Sequence, residues 1–338
     1  MILQTIWFVL VFVLLIGYAI LDGADLGVGV LHLATRQERE RRTALQAIGP
    51  LWDGNEVWLL TGGGALFAAF PAVYATVFSG FYLAMVLLVV ALMGRAVALE
   101  FRSKVASPRW QRFWDTVFWL GSAVPALLLG VALGNILRGV PINAAGEYTG
   151  TFLGLLQPYA LLVGATVLAA LTMHGAVFLA HKSEGPMHER LARWTPALWA
   201  IFLALFLATT AATCAVSPFL MTDALRSPVA WALAALTLIS LAGVPILVRR
   251  KRFGAALVAS SAAIGAMIGL AAAGLFPRLV PSSTDLANSL TALNSSSTQG
   301  TLQAMLIIAL VGMPVVLAYT VYVHWIFRGK VAATSEGY

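Results

Sequence analysis

The stretch "QTIWFVLVFVLLIGYAILDGADLGVGVLHL" (residues 4–33) is apolar along most of its length and carries Asp22 and Asp25 toward its end. About 20 predominantly apolar residues suffice for a helix to cross a bilayer, and this run exceeds that. It is too long for the apolar core of a signal peptide, and no small-residue cleavage site follows it, so it reads as a retained transmembrane helix. The rest of the chain agrees. Of 338 residues, 60% are hydrophobic and only 10% charged, with a mean hydropathy of +0.88, against about 25% charged in soluble domains. The fold class is therefore an all-α integral membrane protein.

Working outward, nine candidate spans emerge, near residues 4–33, 48–70, 73–100, 114–137, 157–181, 195–216, 228–248, 254–276 and 303–327. Their charged flanks orient them. Arg36, Arg39, Arg41 and Arg42 follow the first span; Arg102, Lys104, Arg109 and Arg112 the third. Lys182, Arg190 and Arg193 follow the fifth, the run "RRKR" (249–252) the seventh, and Arg328 and Lys330 the last. The opposite connections hold only Arg138, Arg226 and Arg278. Basic residues concentrate on the cytoplasmic side, so the N-terminus is expected outside and the C-terminus in the cytoplasm. The same rule accounts for the net charge of +7 without nucleic acid. The connections are short, so residues 1–338 read as a single polytopic membrane domain whose antiparallel neighbours pack as bundles. The lone Cys214 excludes an internal disulfide and cysteine-based metal centres in this chain alone.

The ionisable residues within the spans are few and cluster. Asp22 and Asp25 lie three apart, on one helix face. Asp53 and Glu56 open the second span in "GPLWDGNEVWLL" (49–60), and Arg95 and Glu100 close the third. Alternating span direction puts all six at similar depth near the cytoplasmic face. Capping and structural pairing are the bland explanation. A charged residue at mid-bilayer costs about 2.5–3.5 kcal/mol, and several acids around one arginine exceed what pairing needs. The sharper reading is a proton-conducting or ion-binding vestibule open to the cytoplasm, because carboxylates withdrawn from water exchange protons closer to neutral pH.

The remaining signals are quieter. His181 and His188 fall in a loop, His32 and His324 at helix ends, and His174 alone within a span, with no metal-ligand spacing among them. Trp7, Trp114, Trp194, Trp231 and Trp325 sit near span ends, as interfacial belts do. Trp58 lies two turns into the second span; composition favours packing there over lining a passage for a small apolar molecule. Gly62, Gly63 and Gly64 suggest close helix–helix contact.

Several segments together resemble one family. They are "LDGADLGVGVL", "GPLWDGNEVWLLTGGGALFAAFPAVY", "FSGFYLAMVLLVVALMGRAVALEFRSK", "GNILRGVPIN" (134–143), "YTGTFLGLLQP" (148–158) and "LFPRLVPSSTDLANSLTALNSSSTQGTL" (275–302). They are similar to the second subunit of the bacterial cytochrome bd quinol oxidases. The resemblance implies nine helices, as two four-helix bundles plus one peripheral helix, in the bacterial cytoplasmic membrane. It implies a larger subunit I carrying the quinol site, two b haems and one d haem, and no haem ligand here. It maps a proton entrance onto Asp53 and an oxygen route onto Trp58, with less settled roles for Asp22, Asp25, Glu56 and Arg95. Some relatives hold a structural quinone in this subunit, and some complexes include small single-helix accessory subunits; no motif here decides either. The connection "SPFLMTDALRSP" is brief where relatives can carry a longer outer segment. The rival functions are an ion-coupled secondary transporter using the same acids and a purely structural membrane subunit.

Overall fold

The computed structural model describes residues 1–35 and 37–331; Arg36, counted above among the basic flanks, lies outside the described residues. The chain forms α1 (Ile2–Leu31), α2 (Glu38–Ile48), α3 (Trp52–Ala69), α4 (Pro71–Gly80), α5 (Tyr82–Phe101), α6 (Pro108–Arg138), α7 (Pro158–Lys182), α8 (Gly185–Val216), α9 (Pro218–Leu225), α10 (Pro228–Arg249) and α11 (Phe253–Leu275). An antiparallel pair follows, β1 (Arg278–Val280) with β2 (Leu290–Thr291), and then α12 (Gln299–Ile326). Eight helices among the described residues are long and apolar enough to cross a membrane. The expected second span, α3, falls outside that set. Its 18 residues include Asp53, Asn55, Glu56 and three consecutive glycines, which lower its hydropathy.

Three expected boundaries shift. The charge run after the first span is not a loop but the amphipathic helix α2. Glu38 and Glu40 occupy its first turn, where acids favour the helix dipole, and Thr43, Ala44, Leu45, Ala47 and Ile48 bury its inner side. The expected third span is two helices, broken at Phe81 between α4 and α5. α6 and α8 begin earlier than the apolar runs that suggested them, because Pro108 and Pro186 start helical turns well outside the apolar windows.

α1 is the centre of the packing. It meets α3, α6, α7 and α11. At its crossing with α7, Gly27 and Gly175 put backbone against backbone, and a Cβ on either would overlap the other helix. α5 packs on α6, α8 on α7, and α10 on α11. α12 stands apart. The window that marks it as a span has no buried residue, and the helix is held mainly at its two ends. Trp7 Nε1 donates to the Leu302 carbonyl at 3.0 Å near one end. Near the other, Lys182 Nζ donates to the Phe327 carbonyl and Val331 N to the Lys182 carbonyl. Trp7 is thus buried at 4% exposure, because its ring is the clasp for α12.

Candidate functional site

Arg95 of α5 is 1% exposed, yet it is charged and sits within a span. α6 brings it inward through Gly121, where a Cβ would stand 2.7 Å from the Ala91 carbonyl oxygen and 2.8 Å from Arg95 N; any larger residue would push α5 away. One guanidinium nitrogen, Nη2, then donates to Asp22 Oδ1 of α1 at 2.6 Å and to Glu56 Oε1 of α3 at 2.8 Å. One turn along α1, Asp25 Oδ2 accepts from Asn55 Nδ2 at 2.7 Å. Asp22, Asp25, Asn55, Glu56 and Arg95 therefore form one assembly across three helices, four of them buried and Glu56 with a side chain 21% exposed.

The assembly has unused hydrogen-bonding capacity. Among the described residues, Asp22 Oδ2, Asp25 Oδ1, Arg95 Nε and Arg95 Nη1 are buried without a hydrogen-bond partner, and so is the Tyr18 hydroxyl one turn from Asp22. A buried unsatisfied polar group costs about 1–3 kcal/mol, more if charged, and ordered water commonly satisfies such groups. Three carboxyls around one guanidinium also leave the cluster room for exchangeable protons.

Asp53 lies one turn before Glu56 on α3, exposed at the end that carries the basic loops, with no side-chain hydrogen bond among the described residues. Glu100 is exposed and apart; it faces away from the arginine one turn and a half earlier on its own helix, so it does not join the cluster. Trp58 is 7% exposed and packs with Leu14, Tyr18, Leu26, Ala126, Leu171 and Ile264. Its ring lies over Gly17, where a Cβ would fall inside it. Of the glycine run, a Cβ on Gly62 would meet Leu14 and Leu15 of α1, whereas one on Gly63 or Gly64 would meet nothing within 4 Å among the described residues.

A second charged assembly was not visible in the sequence. Asp115 of α6 is 1% exposed. Its Oδ1 accepts from His32 Nε2 at 2.6 Å and Arg102 Nε at 2.5 Å, and its Oδ2 from Arg41 Nη1 at 2.7 Å. Arg102 also reaches Glu38 through Nη1 and Nη2, at 3.1 and 2.8 Å. Partial burial opposes the Glu38 charge, but Arg102 and Arg42 outweigh it and hold this carboxyl below the usual range. This hub ties α2 to α1, α5 and α6, and α2 leads directly into Asp53. The sequence signal was a single aspartate among aromatics at the start of a span, with its three partners spread over the preceding eighty residues.

Two of the histidines are engaged within the protein. His174 engages Ser260 Oγ at 2.7 Å and the Ile20 carbonyl at 3.0 Å through its two nitrogens. His188, expected in a loop, lies in α8 instead, donates to the Ala180 carbonyl and packs edge-on against Phe253, because α8 begins before it and folds it onto α11. Among the described residues no group of His, Cys, Asp and Glu is arranged to hold a metal ion.

Comparison with known proteins accords with this arrangement. Residues 3–327 match the family model described as cytochrome bd terminal oxidase subunit II. The chain is 37% identical to the cytochrome bd-I ubiquinol oxidase subunit 2 of Escherichia coli K12, over 98% of this chain and 95% of that protein. It is also 37% identical to the cytochrome bd ubiquinol oxidase subunit 2 of Bacillus subtilis 168, over 98% and 97% respectively. The bd oxidase structure from Geobacillus thermodenitrificans superposes with a TM-score of 0.79 at 19% identity, covering 97% of this chain and 99% of its own, so the fold is shared. An all-helical membrane chain with a buried Arg–acid cluster, matched in this way, belongs to the cytochrome bd terminal oxidase subunit II family, and is a subunit of a quinol:oxygen oxidoreductase that works in a membrane beside a subunit I.

Proposed function

We propose that this chain delivers protons from the cytoplasm to the oxygen-reducing centre of its complex, admits oxygen past Trp58, and scaffolds the haem subunit. In this reading subunit I holds two b haems, one d haem and the quinol site. Two quinols are oxidised there, one dioxygen is reduced to two waters, and four protons are consumed. Those protons come from the cytoplasm while the quinol protons leave outside, which charges the membrane of the bacterial cell. Ubiquinol is the substrate named for the Escherichia coli and Bacillus subtilis relatives.

The observation that carries the proton role is Arg95 bridging Asp22 and Glu56 while five buried polar atoms around it lack protein partners. Asp53 is the exposed entrance. Glu56, one turn further in and partly exposed, passes the proton to the buried side. Asp22 and Asp25 hold it, and Arg95 keeps the carboxylates together without neutralising all of them. Beyond the cluster toward the opposite end lie Trp58, Leu14 and Ala126. This apolar packing gives a proton no path and suits oxygen.

Nine spans with the N-terminus outside fit the alternation of basic loops if α3 is the ninth. We assign two groups of four, α1, α3, α5 and α6 and then α7, α8, α10 and α11, joined to each other chiefly through α6, α1 and α7, with α12 peripheral. The exposed side of α3, with Val57, Leu60 and Phe67 beside the open Gly63 and Gly64, is the surface we assign to subunit I. Neither a structural quinone nor single-helix accessory subunits are given residues here. The test is quinol-driven oxygen uptake by the purified complex carrying Asp53→Asn. Turnover should fall while the haem absorbance survives. Wild-type turnover would remove Asp53 from the path and favour a purely structural subunit. Substrate transport by the chain alone, without haem, would favour the secondary transporter.

A further inference from the structure

Several cations of the basic loops are spent on the protein itself, whereas Arg39, Lys104, Arg109, Arg112 and Arg193 stand singly without a side-chain partner among the described residues. Arg41 and Arg102 bind Asp115, Arg42 binds Glu38, and Arg190 binds Glu40. Lys182 holds the end of α12, and Lys330 reaches Glu184 at 3.4 Å. The turn between α10 and α11 is different. Arg249, Arg250, Lys251 and Arg252 are consecutive and exposed, and none of their side chains has a hydrogen-bond or ion-pair partner among the described residues. No acid stands near them in sequence: the chain has no Asp or Glu between Asp223 and Asp285.

The turn is also firmly built. Arg250 N donates to the Ile246 carbonyl at 3.1 Å, Lys251 N to Val248 at 2.9 Å and Arg252 N to Leu247 at 2.9 Å. Lys251 holds the left-handed position, at φ 59°, where a helix end usually places glycine. A cation thus occupies a site where glycine would be conformationally easier. The helices beside the turn are apolar on their outer faces, with Ile246 50% and Val258 68% exposed next to it and Leu238 and Ile239 exposed further along α10. Four cations thus end an apolar face, the pattern by which basic clusters beside membrane helices attract anionic lipid.

We propose that the α10–α11 turn is a binding site for an anionic phospholipid, its phosphate held by residues 249–252 and its acyl chains against the outer faces of α10 and α11. The continuity of cations with exposed apolar surface selects a lipid over a free phosphate or an acidic polypeptide. Each basic residue near an anionic surface contributes about fivefold in affinity, and the attraction weakens with salt.

The test uses the purified two-subunit complex in phosphatidylcholine bilayers containing a photoactivatable phosphatidylglycerol or, in parallel, a photoactivatable phosphatidylcholine. Peptide mapping reads the labelling of residues 246–258. Phosphatidylglycerol should label this hairpin well above phosphatidylcholine. The excess should fall at least about fivefold in R249Q/R250Q/K251Q/R252Q, survive in R249K/R250K/R252K, and decline with added salt. Haem absorbance and oxygen uptake should be unchanged in both variants. If the glutamine variant does not assemble, the salt dependence and the lysine variant decide. Equal labelling by the two lipids, or labelling unaffected by salt, overturns the proposal. So does loss of labelling to inorganic phosphate, which would indicate a site for the phosphate group alone, or a co-purified acidic polypeptide cross-linked to the turn.

Discussion

Two buried charge assemblies lie within this molecule, and they are built differently. At Asp115 one carboxylate accepts from His32, Arg41 and Arg102, so both of its oxygens are in use. At Arg95 one nitrogen bridges two acids while Nε, Nη1, Asp22 Oδ2, Asp25 Oδ1 and the Tyr18 hydroxyl lack protein partners. A saturated network rigidifies; a partly satisfied one can take water and exchange protons. The first assembly is built as a fastening for α2, and the second is the one to which we assign proton transfer.

That contrast breaks most readily at Asp115. Asp115→Asn removes the charge that three donors share, and breaking a buried ion pair costs about 3–5 kcal/mol. The variant complex should unfold at lower temperature and be cleaved by trypsin faster within α2. Unchanged melting and unchanged proteolysis would mean the hub is not a fastening.

Next in size is Arg95→Gln, which leaves Asp22 and Glu56 without their cation and should depress assembly by a comparable amount. Adding Asp22→Asn removes one of the two stranded charges. The double variant is expected to regain haem-loaded complex without regaining oxygen uptake. Recovery of both together would show that the Arg95 assembly is also only structural.

Gly17→Ala is smaller in scope. The new methyl must displace the Trp58 ring, and overpacking costs about 1–3 kcal/mol. The apparent oxygen affinity should change while the pH dependence of turnover does not. An unaltered oxygen dependence would return Trp58 to plain packing.

The smallest effect concerns Glu38. Its pKa in the folded protein lies below the unfolded value, so the stabilisation is present above the unfolded carboxylate range, about pH 4, and is lost as pH falls through the lower folded value. Because Glu38 is 41% exposed, solvent screens the gain. Hydrogen exchange in α2 should rise modestly in acid in the wild type, and Glu38→Gln should flatten that rise. An equal rise in both would locate the titration elsewhere.

The sequence made the spans legible because apolar length is a local property, and it made Asp22, Asp25, Glu56 and Arg95 legible because charge in a span is conspicuous. It misled at Glu100, which has the right depth but the wrong helix face; depth follows from topology, whereas facing follows from packing. α2 was missed because a charge-rich run looks like a loop until a partner buries its other side. Asp115 was missed because its importance lies in His32, Arg41 and Arg102, which only the fold brings together. Trp7 was legible as a residue near a span end, whereas its bond to a backbone carbonyl of α12 was not.

The most direct measurement is proton uptake in a single turnover. Fully reduced complex, reconstituted with its cytoplasmic face toward a pH-sensitive dye, is mixed with oxygen, and dye and haem absorbance are followed together. With Asp53→Asn, proton uptake and the final haem oxidation should slow together while the first oxygen-binding phase keeps its wild-type rate. Proton uptake at the wild-type rate in that variant would contradict a proton entrance at Asp53.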